Sequence, residues 1–287
     1  MSYSGHGNRL WSYLCAALAW LPLSATAQDE LTWGVLDFPP FQILDEAHKG
    51  SGSFDGELAT LVARMEGFDH HIVTMSFARR KEEFLSGANL CTPGIFKSNA
   101  AALGLAISIP ALVHLDNRVI FLKDKATLFG RDSSIDLESL FLREDLVGAV
   151  IPGRSYAPNI DAVIAHAHDH PQLMKRPLST AQLFQMLLSG DIDYLLLFPH
   201  EAAYLAERFG ASGRIANLPI NGTPPYIFTH VACSGNDWGR AMIARINTVI
   251  RTERGKPEYR SYSERWYPAV DQERIRGYYP KLLEQDR

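Results

Sequence analysis

Three closely spaced histidines are the residues of this sequence that most resemble a metal site. His166, His168 and His170 form an HxHxH pattern, in which the first and third would share one face of a helix at i and i+4. A zinc site needs four ligands, and Asp169 is the only other ligating side chain beside them, so a solvent-facing helix end explains the histidines more simply. The sequence also has no Walker loop, GxSxG elbow or HExxH motif. We therefore expect no metal and no cofactor.

An aromatic corner is the stronger candidate for ligand binding. Residues 31–41 read LTWGVLDFPPF, an apolar run that ends in two prolines, which cannot donate to a β ladder. The pattern predicts a buried strand that delivers Phe38 and Phe41 to a rigid edge. A polar loop and a helix at residues 58–65 follow, so the unit is a strand, an exposed aromatic corner and a helix, which is typical of α/β layers. The alternative is that both phenylalanines are ordinary core residues.

The first 27 residues have the pattern of a signal peptide. Arg9 precedes an apolar run over residues 10–23, and residues 25–27 (ATA) supply the small-x-small cleavage pattern. The run is shorter than the roughly 18 to 20 residues of a spanning helix, no later stretch qualifies, and no cysteine follows the small residues directly. We expect a mature chain that begins near Gln28, has no membrane span and is periplasmic or secreted.

The composition predicts a globular α/β protein. The hydrophobic content of 46% with 21% charged residues is ordinary for a globular chain. A net charge of -4 gives no support to a nucleic-acid partner, because binding to phosphates needs a concentrated basic surface.

The cysteines suggest a disulfide. Cys15 leaves with the signal peptide, so Cys91 and Cys233 remain as a pair in an oxidising compartment. A bond between them would stabilise the fold by ~2–4 kcal/mol. The alternative is two separate buried thiols that behave as small apolar side chains.

Alternating strands and helices predict the same architecture twice. The first unit has strands at residues 31–41, 70–75 and 117–122, a strand or loop at 89–95, and helices at 58–65 and 79–85. The second has helices at 136–142, 159–168 and 180–188 and strands at 146–151 and 194–198. A strand at 226–232, a helix at 238–251 and an aromatic, basic carboxyl end follow. A βαβ order demands a mainly parallel sheet with right-handed crossovers.

This arrangement resembles the periplasmic solute-binding proteins of family 3, the class that serves polar amino acid transport, over most of the mature chain. The matching motifs are, in order, FPPF at 38–41, GELATLVARM at 56–65, LSG at 85–87, ISIP at 107–110, GAVIPGRSY at 148–156, LSGDID at 188–193 and RWY at 265–267. Each motif alone is weak, and their order and spacing carry the resemblance.

The resemblance implies a two-lobed α/β fold of the type II periplasmic-binding-protein kind, with a mainly parallel sheet flanked by helices in each lobe. Residues 28–113 and 228–287 would form the first lobe, and residues 118–224 the inserted second lobe. Two crossings near 111–119 and 224–229 would act as a hinge that closes on a ligand. Cys91 and Cys233 would then be neighbours in the first lobe, in a chain that we expect to be monomeric.

Two charges that the family uses for amino acids are missing. Its binders hold the ligand carboxylate with an arginine, which counting back from Ser108 would place at Ala101. They meet the ligand ammonium with an aspartate, which counting forward from Asp193 would place at Phe198. A buried ionic group without a partner is costly, so an ordinary α-amino acid is disfavoured as the ligand.

Aromatic residues and two cations are the predicted replacements. Phe38, Phe41, Phe96 and Phe198 would line the cleft and suit a flat, apolar or sugar-like ligand. Lys97 and Arg154 are the nearest cations, and Arg154 with Ser155 lies on a turn that enters a helix, where free backbone amides favour an anion. An aromatic carboxylate or another organic anion would satisfy both features, although plain solvated charges are the alternative for both cations.

We therefore predict an exported solute-binding protein that captures a small molecule for a membrane permease or sensor encoded separately. One alternative is a small-substrate lyase like the cyclohexadienyl dehydratases, with Glu57 or Asp37 as general acid. Another is a degenerate lobe pair that binds a protein partner, which predicts an occluded cleft. On the first reading, replacing Phe41 or Phe198 with alanine weakens ligand binding with little loss of stability.

Overall fold

The computed structural model describes residues 29–44, 50–167 and 170–286, so the predicted signal peptide lies outside the described residues. The strands are β1 (Asp29–Val35), β2 (Phe68–Thr74), β3 (Leu90–Ile95), β4 (Ala106–Ile107), β5 (Leu112–His114), β6 (Arg118–Leu122), β7 (Gly148–Val150), β8 (Leu173–Lys175), β9 (Tyr194–Leu197), β10 (Ile215–Pro219) and β11 (Ile227–Cys233).

The helices are α1 (Ser53–Arg64), α2 (Phe77–Leu85), α3 (Lys97–Ala102), α4 (Leu137–Phe141), α5 (Pro158–His166), α6 (Thr180–Ser189), α7 (Pro199–Arg208), α8 (Asp237–Glu253), α9 (Pro257–Glu264) and α10 (Ala269–Leu283). Two 3-10 helices cover Lys123–Phe129 and Glu284–Asp286.

The strands form two sheets. The first has the order β2-β1-β3-β11-β4, with β5 also paired to β11. The second has the order β10-β6-β9-β7-β8. Each contains three parallel strands, as the βαβ pattern predicts, joined to antiparallel strands. We call the unit around the first sheet the first lobe and the unit around the second sheet the second lobe. The exact boundaries predicted between them stay a prediction.

Strand β1 is the centre of the first lobe. Leu31, Trp33 and Val35 alternate along it and are all buried, since every second side chain of a strand faces the same side. This row packs with Leu61 of α1 and Ile246 of α8 in one apolar core. The apolar run that ends at the double proline is therefore a core strand, as predicted.

The predicted disulfide is present. Cys91 of β3 lies directly opposite Cys233 of β11 in an antiparallel pair, and the two sulfur atoms are bonded. The bond joins residues 142 positions apart, so it links the early and late parts of the first lobe.

Two segments that were predicted as hinge crossings pair with each other. Strand β5 runs antiparallel to the start of β11, with His114 opposite Ile227 and Leu112 opposite Thr229. Helix α10 packs on this pair through Ile275 and Tyr279. In this region the sequence predicted an aromatic, basic carboxyl end and no helix. None of the helices within the described ranges is both long and apolar enough to cross a membrane.

Candidate functional site

The four phenylalanines that were predicted to line a cleft lie together between the lobes. Phe38 and Phe41 stack with ring centroids 4.6 Å apart, and Phe41 meets Phe198 of the second lobe edge-on at 5.1 Å. Phe96 lies 6.5 Å from Phe198. The two lobes therefore meet through apolar rings.

The aromatic corner is buried, and the expectation that it is exposed is wrong. Phe38 exposes 8% of its surface and Phe41 only 1%. Phe54 packs on Phe41 at 4.8 Å, and Phe77 meets Phe38 edge-on at 5.5 Å. Neither Phe54 nor Phe77 stands out in the sequence, because each lies in the first turn of its helix, ahead of the apolar repeat. The description of the corner as core fits these contacts better.

Two histidines that the sequence patterns do not mark complete this packing. His114 ends β5 and His200 lies in the first turn of α7, and their rings stack 5.6 Å apart at 15°. Phe41 contacts both rings, at 5.2 and 4.5 Å. We call the set Phe38, Phe41, Phe54, Phe198, His114 and His200 the aromatic floor.

The floor histidines are neutral. Burial lowers the pKa of His114 to about 3. Burial, then His114 and Arg154, hold the pKa of His200 well below its usual range. Among the described residues, no group forms a hydrogen bond with any of the four ring nitrogens. The two neutral imidazoles therefore pack here as stacked rings.

Arg154, predicted as a ligand-facing cation, is paired within its own lobe. Its two terminal nitrogens donate to the carboxylate of Glu201 at 2.8 and 2.7 Å. Burial alone would lower the pKa of Arg154, but the Glu201 carboxylate, together with Tyr156 and Asp161, more than offsets this and raises it. The guanidinium also lies over Phe38 and Tyr156, at 4.7 Å from each centroid. Because its charge is balanced, this geometry does not support the predicted attraction of Arg154 for an anion.

The turn that carries Ser155 is also satisfied internally. The Ser155 hydroxyl donates to Asp161, and Asp161 accepts the backbone N–H of Tyr156 at 2.7 Å. The amide and hydroxyl expected to bind an anion are thus held by a carboxylate. Ser155 also lies 3.3 Å from the side-chain oxygen of Asn99 across the lobes. Lys97, the other predicted cation, is exposed at the start of α3.

The described residues enclose two adjoining cavities between the lobes. The inner cavity, about 50 Å³, lies above the aromatic floor and is lined also by Phe96 and Thr229. The outer cavity is about 240 Å³. Its first-lobe wall includes Phe77, Arg80 and Asn99, and its second-lobe wall is formed by Gly153, Arg154, Ser155 and Asp161. A small ligand fits the outer cavity, whereas the inner one holds little more than water.

Arg80 lines both cavities and was not among the predicted site residues. It is half-buried, and one terminal nitrogen donates to Thr92 at 3.1 Å. Burial lowers the pKa of Arg80 to about 10, so the group stays cationic at neutral pH. Its position on α2, one turn after Phe77, is the signal in the sequence that could have drawn attention to it.

The two carboxylates considered for lyase chemistry lie away from these cavities. Glu57 is fully buried in α1. Burial raises its pKa to about 8, although the nearby Tyr259 hydroxyl offsets part of the rise. Neither oxygen of Glu57 has a hydrogen bond of good geometry within the described ranges. Asp37 is exposed. Neither residue lines the inner or the outer cavity.

The histidine pattern does not form the predicted face. Helix α5 ends at His166, so His170 cannot follow it at i+4 on one helix, and His168 and Asp169 lie outside the described residues. Within the described part of the chain, no three His, Cys, Asp or Glu side chains are grouped so that they could hold a metal ion.

Comparisons with known proteins identify the fold. No protein-family model matches the chain, and no curated protein sequence does so either. Solved structures do match. One is a protein from work on glutathione import and the cystine importer of Streptococcus mutans. Its TM-score is 0.65 at 11% sequence identity, and the match covers 86% of this chain and 100% of that one. The chain has the two-lobed periplasmic-binding-protein fold. The predicted resemblance is thereby confirmed as a likeness of fold.

Two further structures show the same fold over similar lengths. An ancestral arginine-binding protein bound to glutamine has a TM-score of 0.60 at 18% identity, with 84% of this chain and 99% of that one covered. A histidine kinase sensor domain with similarity to periplasmic binding proteins has a TM-score of 0.63 at 16% identity, with coverage of 83% and 96%.

Proposed function

We propose that this protein is an exported solute-binding protein that closes its two lobes on a small organic ligand and presents it to a membrane transporter or sensor. The outer cavity is the observation that carries this proposal, since Arg80 and Asn99 come from the first lobe, and Ser155 and Asp161 from the second. A ligand held by both walls would stabilise the closed form, which is how hinged binding proteins couple capture to closure.

The similar structures support capture rather than catalysis. One is an arginine-binding protein and another a sensor domain, although one is an ancestral amino acid-binding protein described as a precursor of cyclohexadienyl dehydratase. The positions of Glu57 and Asp37, outside both cavities, give no support to a lyase here.

The ligand that we propose is flat or apolar in part and is not an ordinary α-amino acid. Ala101 is exposed on α3, where the family has its carboxylate-binding arginine, and Phe198 packs into the aromatic floor where it has an aspartate. Phe77 and Phe84 provide the apolar part of the outer cavity.

A thermal-shift screen of the exported chain against amino acids, aromatic acids, sugars and organic anions tests this proposal. A ligand that binds only the folded protein raises the melting temperature by mass action, so we expect a saturable rise with one chemical class. Ala102→Trp should abolish it, because Ala102 is exposed and lines the outer cavity. Ala101→Trp is the matched control, because Ala101 is also exposed, is the neighbour of Ala102 and lies outside the cavity lining.

The packed floor favours one second candidate, a lobe pair that binds a protein partner and no small molecule. Phe41, His114 and His200 together fill the space between the lobes at its base. This candidate gains if no class of ligand shifts the melting temperature of a folded protein.

A further inference from the structure

We infer that Arg80 is the anion-binding residue of the outer cavity and that the ligand carries a carboxylate on a short apolar body. This inference rests on the proposed function, and it names the ligand class that the same cavity would take. Arg80 would thus bind the ligand anion in place of the arginine that the resemblance expects at Ala101, and in place of Arg154.

Among the residues that the structure describes, no carboxylate forms an ion pair with Arg80. Its contacts among the described residues are a hydrogen bond to the neutral hydroxyl of Thr92 and a position 5.6 Å from the centroid of the Phe77 ring. Arg154 on the opposite wall differs from Arg80, because its charge is balanced by two hydrogen bonds to the Glu201 carboxylate. A partly desolvated cation without a counter-charge favours an anion beside it.

The acid that lines the cavity, Asp161, forms no ion pair with Arg80 among the described contacts. Asp161 accepts from the Ser155 hydroxyl and from the Tyr156 amide, and its electrostatic partner is Arg154. Lys81 adds a second cation to the same wall and is exposed. Once Arg154 and Glu201 cancel, Arg80 and Lys81 outweigh Asp161, so the cavity lining keeps an excess of positive charge.

The geometry of Arg80 suits a carboxylate. Nη1 is used by Thr92, which leaves Nε and Nη2, the edge of the guanidinium that binds a carboxylate with two parallel hydrogen bonds. Asn99 supplies a further donor, because its contacts with Ser98 and Ser155 are made by its oxygen and its amide nitrogen has no partner among the described residues. The Asn99 side chain lines the same cavity.

The remaining wall limits the body of the ligand. Phe77, Phe84 and Leu103 face a volume of about 240 Å³, which suits one ring or a short aliphatic chain better than a large solute. Small aromatic and branched carboxylates fit both the charge and the size.

Calorimetric titration of the exported chain with benzoate, phenylacetate and butyrate, each against its neutral amide at matched ionic strength, tests the inference. We expect at least one acid to bind and its amide to bind at least tenfold more weakly. Arg80→Gln should lose at least tenfold in affinity for the acid and no longer distinguish it from the amide. Arg80→Lys, which keeps the charge without the two-point geometry, should lie between. Arg79→Gln is the matched control, since exposed Arg79 pairs with Glu83 outside the cavity.

The outcomes separate this inference from the function on which it rests. Equal affinity of Arg80→Gln and the natural protein for the acid, or equal affinity for acid and amide, would overturn the role of Arg80. A neutral or amine ligand that binds, and is lost in Ala102→Trp but not in Arg80→Gln, would leave the proposed function standing and remove the carboxylate. If neither these acids and amides nor any compound of the thermal-shift screen binds, and melting curves show a folded protein, both the role of Arg80 and the proposed function would be overturned.

Discussion

Arg154 and Glu201 form a two-point salt bridge in which the side chains expose 1% and 0% of their surfaces. The pair lies 47 positions apart in the chain and ties the turn after β7 to the first turn of α7. Removing one partner leaves a buried charge without compensation, which is the costly case for such pairs.

We expect Arg154→Met to lower the free energy of unfolding by about 3–5 kcal/mol. The double variant Arg154→Met with Glu201→Leu should cost clearly less than the sum of the two single changes, because no lone charge remains. Urea unfolding of the four proteins measures this coupling. Additive losses would mean that the pair contributes nothing beyond its separate contacts.

The histidines of the aromatic floor predict a loss of stability in acid. The pKa of His114 falls from 6.5 to about 3 on folding. Below pH 6.5, therefore, His114 binds a proton in the unfolded chain and stays neutral in the native chain. Stability should therefore fall as the pH is lowered, by about 1.4 kcal/mol per pH unit for each such histidine. Urea unfolding of the natural protein and His114→Gln between pH 7 and 5 checks this, and the variant should have the flatter profile. His71→Gln, on an exposed strand position, should behave like the natural protein.

Glu57 predicts the opposite dependence on pH. Its pKa rises from 4.5 to about 8 on folding, so between these values the native chain holds a proton that the unfolded chain has lost, and stability falls as the pH rises. Glu57→Gln removes this term and should be more stable than the natural protein by about 4 kcal/mol at pH 8, at about 1.4 kcal/mol for each pH unit above 4.5. The difference should nearly vanish at pH 4.5. A variant that is less stable at pH 8 would contradict a neutral buried carboxyl.

The disulfide should stabilise the first lobe. Replacing Cys91 and Cys233 together with serine should lower the free energy of unfolding by about 2–4 kcal/mol. The natural protein treated with a thiol reductant should approach the double variant, whereas the reductant should not change the double variant itself. Melting curves with and without reductant make the comparison, and identical curves for all samples would show that the bond has no net effect.

We expect Phe41 to contribute mainly to the stability of the fold rather than to ligand binding. Since it exposes only 1% of its surface, Phe41→Ala should cost about 3–5 kcal/mol through the cavity that it leaves. This reverses the sequence-based expectation of little loss. Phe96→Ala, at a half-buried position beside the inner cavity, should cost much less. Urea unfolding of both variants distinguishes a core ring from a cleft ring.

Most of the fold could be predicted from local patterns. The apolar alternation of Leu31, Trp33 and Val35 marks a core strand by itself, and the order of strands and helices restricts the topology to two α/β units. The site could be predicted only in part. Phe38, Phe41 and Phe198 lie together, but whether a ring faces a ligand or packs against another ring depends on what covers it. In this protein Phe54 and His200 cover them.

The sequence by itself determined the two α/β units, the pair of cysteines and the uncharged residues at Ala101 and Phe198, because periodicity and residue identity are properties of the chain alone. The tertiary structure decided which arginine has a carboxylate partner. Burial and Coulomb energy depend on distances between residues far apart in the chain, and only folding brings Glu201 to Arg154 while it leaves Arg80 beside a neutral threonine at the mouth of the cleft.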